Sequence, residues 1–109
     1  MIVSEKNISD ALAYLAIDPH PLALARKDVV DAESKSKRIF AAHFLAAEGS
    51  VDARKATAEL SDAYQFAKAE ESEAIMELER HKARSSAADM LIEVWRSENA
   101  NVRAAERVR

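Results

Sequence analysis

The side chains able to do chemistry in this chain are three histidines, a run of carboxylates and three clusters of cations. The histidines are His20, His43 and His81. None is spaced His-x-x-x-His or His-Glu-x-x-His, the patterns that aim two imidazoles from one helix face at a metal. His20 and His81 could approach each other near Asp18 and Glu77, which loosely suggests a metal site, but they read better as two partly exposed helix-surface histidines, because a metal centre needs a full coordination set and a supporting shell. Glu70, Glu71, Glu73, Glu77 and Glu79 crowd one stretch. A catalytic carboxylate pair needs a pocket that drives the two pKa values apart. Paired helices offer no such pocket, so this strip reads as a solvated face with partners one turn away. A single glycine leaves no phosphate-cradling loop or nucleophile elbow. No enzymatic activity, metal or cofactor is expected.

The cations fall into Lys35, Lys37 and Arg38; Arg54 and Lys55; and Arg80, Lys82 and Arg84. Clustered cations are what phosphate contact requires. The first two groups flank Gly49 and would share one patch if the chain turns there, making Lys35, Lys37, Arg38, Arg54 and Lys55 the candidate surface for nucleic acid or another anionic partner. Trp95 beside Arg96 has the make-up of a base-stacking pair. A lone tryptophan at an apolar seam position reads better as a core or interface anchor.

The elements that must carry these groups are helices. The chain has 109 residues, room for one domain, and 23 of them are alanine, the best helix former. Its two prolines lie together at Asp18-Pro19-His20-Pro21. Strand-rich folds need many turns and therefore many turn residues, so the class is all-α. Ser4 or Asn7 caps a first helix over about 4–17. A second runs over about 20–47 on the seam Leu22, Ala25, Val29, Ala32, Ser36, Ile39, His43, Ala46. Gly49 ends it and Ser50 caps a third, unbroken over about 51–98, with Ser85-Ser86 its weakest point. Its seam, from Leu60 and Tyr64 through Ala88 and Ile92 to Trp95, has the coiled-coil period. Asn99-Ala100-Asn101 is expected to end this helix, leaving a frayed tail to Arg109.

The expected architecture is a long antiparallel helical hairpin with a short N-terminal helix. A tight turn at Gly49-Ser50 would face Asp31 with Lys68, Lys27 with Glu71 and Arg38 with Glu59. Residues 80–98 then extend past the second helix, and either the first helix, as a Pro-kinked continuation of the second, or a partner subunit would cover them. Phe66, Ile75, Met76, Met90, Leu91 and Trp95 are then candidates for a homo-oligomer interface. There is no cysteine, no signal-like N-terminus and no apolar run near ~20 residues. The expected location is the cytoplasm, with no membrane partner. Net charge is −3, distributed as a neutral first part, an acidic stretch over 48–79 and a basic end.

Two stretches carry a resemblance. They are Ala46-Ala47-Glu48-Gly49-Ser50-Val51-Asp52-Ala53-Arg54-Lys55-Ala56 and Ile92-Glu93-Val94-Trp95-Arg96-Ser97, the latter followed by Asn99-Ala100-Asn101-Val102-Arg103. The "AEGS…RKA" turn and "IEVWRS" end resemble those of a group of small helical tailed-phage proteins, over roughly residues 33–103. More distantly, the layout is similar to UvsY-type recombination mediators, which are small, helical and oligomeric and assist recombinase loading on single strands. The resemblance implies a phage accessory protein of nucleic-acid metabolism in the host cytoplasm, binding single-stranded DNA or a recombination protein. The charge distribution supports a second class: a protein-binding module, such as an inhibitor of a host factor, docking through the acidic face Glu70–Glu79.

Overall fold

The structure, a computed structural model, describes residues 3–108. It is all-α, with no strand among the described residues, and its helices are α1 (Glu5–Leu15), α2 (Pro21–Ala46), α3 (Val51–Leu60) and α4 (Asp62–Val108). The chain divides into two compact units. One holds residues 23–79, with most of α2, all of α3 and the first part of α4. The other holds residues 1–22 and 80–109, with α1 and the rest of α4.

In the first unit the chain reverses at Gly49, whose φ of +109° suits a residue without a Cβ. Ser50 then caps α3, its Oγ accepting from the Ala53 amide at 3.2 Å. The second arm is interrupted at Ser61, where one continuous helix was expected. Ser61 is extended (φ −64°, ψ 140°) and serves both neighbours. Its Oγ donates to the Ala58 carbonyl at 2.8 Å and accepts from the Tyr64 amide at 3.2 Å. A hydroxyl that closes one helix and opens the next stabilises the break in both directions.

The break resets the register. Glu71 meets Ser36, more than two helical turns from the Lys27 that a tight hairpin would bring to it. Lys35 reaches Glu70, and Phe40 packs edge-on against Tyr64 with ring centroids 5.4 Å apart. Lys27 bonds Asp31 on its own helix, and the expected Asp31–Lys68, Lys27–Glu71 and Arg38–Glu59 pairs do not appear among the described residues. The ten-residue α3 is thus a corner, and α4 pairs with α2 almost from its own first turn. Close approach relies on small side chains: Ala25, Ala58 and Ala67 are buried.

Replacing Ser61 by alanine should cost about 1 kcal/mol, the usual loss on removing a cap. A thermal scan should show the midpoint falling by roughly 4–8 °C. An unchanged midpoint would mean that packing, not the hydroxyl, holds the break.

In the second unit α1 lies along α4. Ala11, Tyr14 and Ala88 form its buried cluster, with Leu15, Leu91 and Ile92 packed against it. Ser4 caps α1, as the sequence predicts, by accepting from the Asn7 amide at 3.1 Å. α4 runs straight through Ser85-Ser86 and does not stop at Asn99-Ala100-Asn101, continuing helical to Val108. Asparagine costs a helix only a few tenths of a kcal/mol, and Ala100, Ala104 and Ala105 offset it. No helix is long and apolar enough to cross a membrane among the described residues.

Candidate functional site

The five candidate cations all lie in the unit of residues 23–79, and the fold uses them unequally. Arg54 is the most committed. α2 ends at Ala46, so its last carbonyls lack intrahelical partners. The Ala47 amide takes the His43 carbonyl at 3.0 Å. Arg54 Nε donates to the Phe44 carbonyl at 3.1 Å, and the guanidinium carbon sits 4.4 Å from the Phe44 ring centroid. Arg54 therefore caps one arm from the other, with a cation–π contact added. Lys35 is drawn into an ion pair with Glu70 at 3.0 Å. Lys37, Arg38 and Lys55 are exposed and hold no ion pair among the described residues.

Beside them runs an open groove between α2 and the α3–α4 arm, lined by Glu33, Ser36, Lys37, Phe40, Glu59, Tyr64, Lys68 and Glu71. Its floor is Ser36, a buried hydroxyl 3.0 Å from the Glu33 carbonyl oxygen and 2.9 Å from Glu71 Oε2, which share its single proton. The Ser36 hydrogen bond, with that of Lys68, holds the Glu71 carboxyl below its ordinary range against a smaller opposing effect of desolvation. Both signs of charge line this groove, so it presents no uniform field to a polyanion.

The acidic strip is likewise occupied from within. Glu70 is bound to Lys35 and Glu71 to Ser36 and Lys68. Glu77 and Glu79 also have partners of their own.

The candidate apolar interface splits once the faces are assigned. Leu91 packs against the α1 cluster and Trp95 is half-buried. Phe66 is 65% exposed, Met76 51%, Ile75 42% and Met90 68%. Phe66 and Ile75 are nine residues apart, which at about 100° per residue places them on opposite sides of α4. These residues therefore do not form one patch.

His20 and His81 do come near each other, as the sequence suggests, but in a cluster centred on Tyr14 in the other unit, which the sequence does not point to. The Tyr14 hydroxyl lies 3.2 Å from His81 Nδ1 and 3.4 Å from the His81 carbonyl oxygen. The His20 ring meets Tyr14 edge-on at 4.9 Å, and the Arg84 guanidinium lies 4.0 Å from the Tyr14 centroid. His20 Nδ1 accepts from the Leu22 amide at 3.0 Å, capping the start of α2. This assigns its proton to Nε2. No group of three or more His, Cys, Asp or Glu able to hold a metal occurs among the described residues. The cluster is a clamp for α1. Its sequence signal was Tyr14 at the seam spacing of Ile8 and Ala11, hidden because α1 and His81 are 67 positions apart.

Comparison with known protein families, curated proteins and solved structures finds no match to this chain.

Proposed function

We propose that this chain is a non-catalytic protein-binding module that works through apolar faces of its long helix. One observation carries the reading. Arg54, Lys35 and most of the acidic strip are engaged by partners within the chain, whereas large apolar side chains are left exposed. Arg54 and Lys35 close the hairpin, and four of the five carboxylates in the acidic strip have internal partners. Phe66, Met76 and Met90 are each at least half exposed. Such side chains remain available to the apolar surface of another protein.

A recombination mediator is the second reading. It is favoured by the exposed Lys37, Arg38 and Lys55 and by the phage-like turn and end sequences. Titration of labelled single-stranded DNA at low and high salt separates the two. The protein-binding reading expects no saturable binding at any salt. Binding that falls steeply with salt, with a slope of about −0.7 per phosphate contacted, would overturn it in favour of the mediator. Loss of that binding in Lys37→Glu with Lys55→Glu would then place the site.

A further inference from the structure

The His20 ring joins the start of α2 to the α1 clamp, and it does so in its uncharged form. α2 begins at Pro21, which has no amide hydrogen, so the Leu22 amide is the first donor of that helix in need of an acceptor. His20 Nδ1 takes it at 3.0 Å. Protonation puts a hydrogen on both ring nitrogens. Nδ1 would then set an N–H against an N–H, and the cap would be lost. The helix start also disfavours the charge, because it carries a partial positive charge of its own. The same ring packs edge-on against Tyr14 at 4.9 Å, so the α1 clamp and the start of α2 depend on one imidazole.

The groups around this ring do not offset a charge on it. Arg84 holds its guanidinium 4.0 Å from the Tyr14 centroid, and His81 stacks on the same ring at 6.4 Å. From α1, Asp10 lines a small cavity with Tyr14 and Arg84, one turn further from the prolines than Tyr14. Asp18, in the turn itself, is exposed and holds no ion pair among the described residues. Along α4, Glu77, Arg80 and Lys82 near His81 have partners of their own. His20 Nε2 is buried without a hydrogen-bond partner among the described residues. Charging His20 therefore adds a second cation beside Tyr14, where no carboxylate is bonded.

His81 responds differently to acid. Its Nδ1 lies 3.2 Å from the Tyr14 hydroxyl, and its carbonyl oxygen 3.4 Å from it. A protonated His81 can donate from Nδ1 to the phenol oxygen while the phenol donates to the carbonyl. Both contacts survive, so the sensitivity belongs to His20.

We propose that His20 is an acid-sensitive latch: taking up a proton releases the Leu22 amide and the Tyr14 ring, and α1 opens from Ala88, Leu91 and Ile92 of α4. A released histidine binds its second proton near about pH 6.5, whereas the latched ring must break its bond to Leu22 to do so. The closed form then binds fewer protons than the open one, so its stability is undiminished well above that pH and falls below it. Glu71, whose carboxyl is held below its ordinary range, belongs to the other unit and gives up its contribution only at more acidic pH.

Hydrogen exchange of the full chain at about pH 7.5 and about pH 5, corrected for the intrinsic pH dependence of exchange, reads the opening of α1. Loss of a cap together with a cation at the helix start predicts opening roughly 10- to 30-fold more frequent at the lower pH. His20→Asn keeps an uncharged acceptor at the cap, so its ratio between the two pH values should stay near unity. His81→Gln should keep the ratio of the unaltered chain. The Leu22 amide resonance of the unaltered chain should move with the same pH midpoint as the exchange. A ratio near unity in the unaltered chain, or a Leu22 resonance indifferent to pH, would overturn the latch. An acid loss that survives His20→Asn, or one that disappears in His81→Gln, would overturn it as well and place the sensor elsewhere.

Discussion

Arg54→Glu is expected to lower the thermal midpoint of this protein by roughly 10–20 °C, whereas the adjacent Lys55→Glu should leave it nearly unchanged. A hydrogen bond from a charged donor contributes about 1.5–3 kcal/mol and an exposed cation–π contact about 0.5–1 kcal/mol. Arg54→Glu removes both contacts with Phe44, and also leaves a carboxylate beside the electronegative end of α2. In a domain of this size each kcal/mol moves the midpoint by about 4–8 °C. Lys55 has no ion pair to lose, and surface changes of that kind stay within about 0.5 kcal/mol. Thermal scans of the two single variants, read by circular dichroism, make the comparison. Equal midpoints would show that the Arg54 contact contributes nothing, and Arg54 would return to the candidate anion-binding surface.

The sequence suggested the opposite for Arg54, and the reason is instructive. A cation in the first turn of a helix is mildly unfavourable there, so Arg54 looked reserved for a partner. What the sequence does not show is that the end of α2, with its unpaired carbonyls, comes back against that turn. The helical class, the Gly49 reversal, both serine caps at Ser4 and Ser50, and the burial of Ala25, Ala67 and Ala88 all follow from local propensity and spacing. Local rules extend that far because a helix closes its hydrogen bonds within itself.

The Ser61 break was also written locally, yet it was masked. Leu60-Ser61-Asp62 repeats the cap-then-acid logic of Ser50-Val51-Asp52, but without a glycine or proline nothing forces a helix to stop there. The break shifts every cross-arm pair expected of an unbroken arm, because register accumulates along it. Residue type alone therefore found the charged groups and misassigned their partners. Of the Tyr14 cluster the sequence shows only that His20 and His81 can approach each other, and the place of Tyr14 and Arg84 between them is hidden for a different reason. Its members come from α1, the Pro19–Pro21 turn and α4, and only the closed chain brings them together.

Tyr14→Ala is expected to have the largest effect of any single change. Tyr14 is 4% exposed and is the one large ring in a cluster whose other buried members are Ala11 and Ala88. Truncating a buried aromatic costs about 3–5 kcal/mol, and two alanines have little with which to close the cavity. α1 has 11 residues, and isolated helices shorter than about 12–15 residues are marginal in water. Once released from α4 it should therefore unfold rather than detach as a rod. Hydrogen exchange should show the amides of α1 losing protection while those of residues 23–46 and 62–79 keep theirs, since they belong to the other unit. Tyr14→Phe separates the two parts of the clamp. It keeps the ring under Arg84 and against His20, and gives up only the hydroxyl contacts to His81. That loss should be near 1 kcal/mol, with α1 still protected. If Tyr14→Phe released α1 as fully as Tyr14→Ala, the polar link to His81 would be what holds the helix, and the packing of the ring would be secondary.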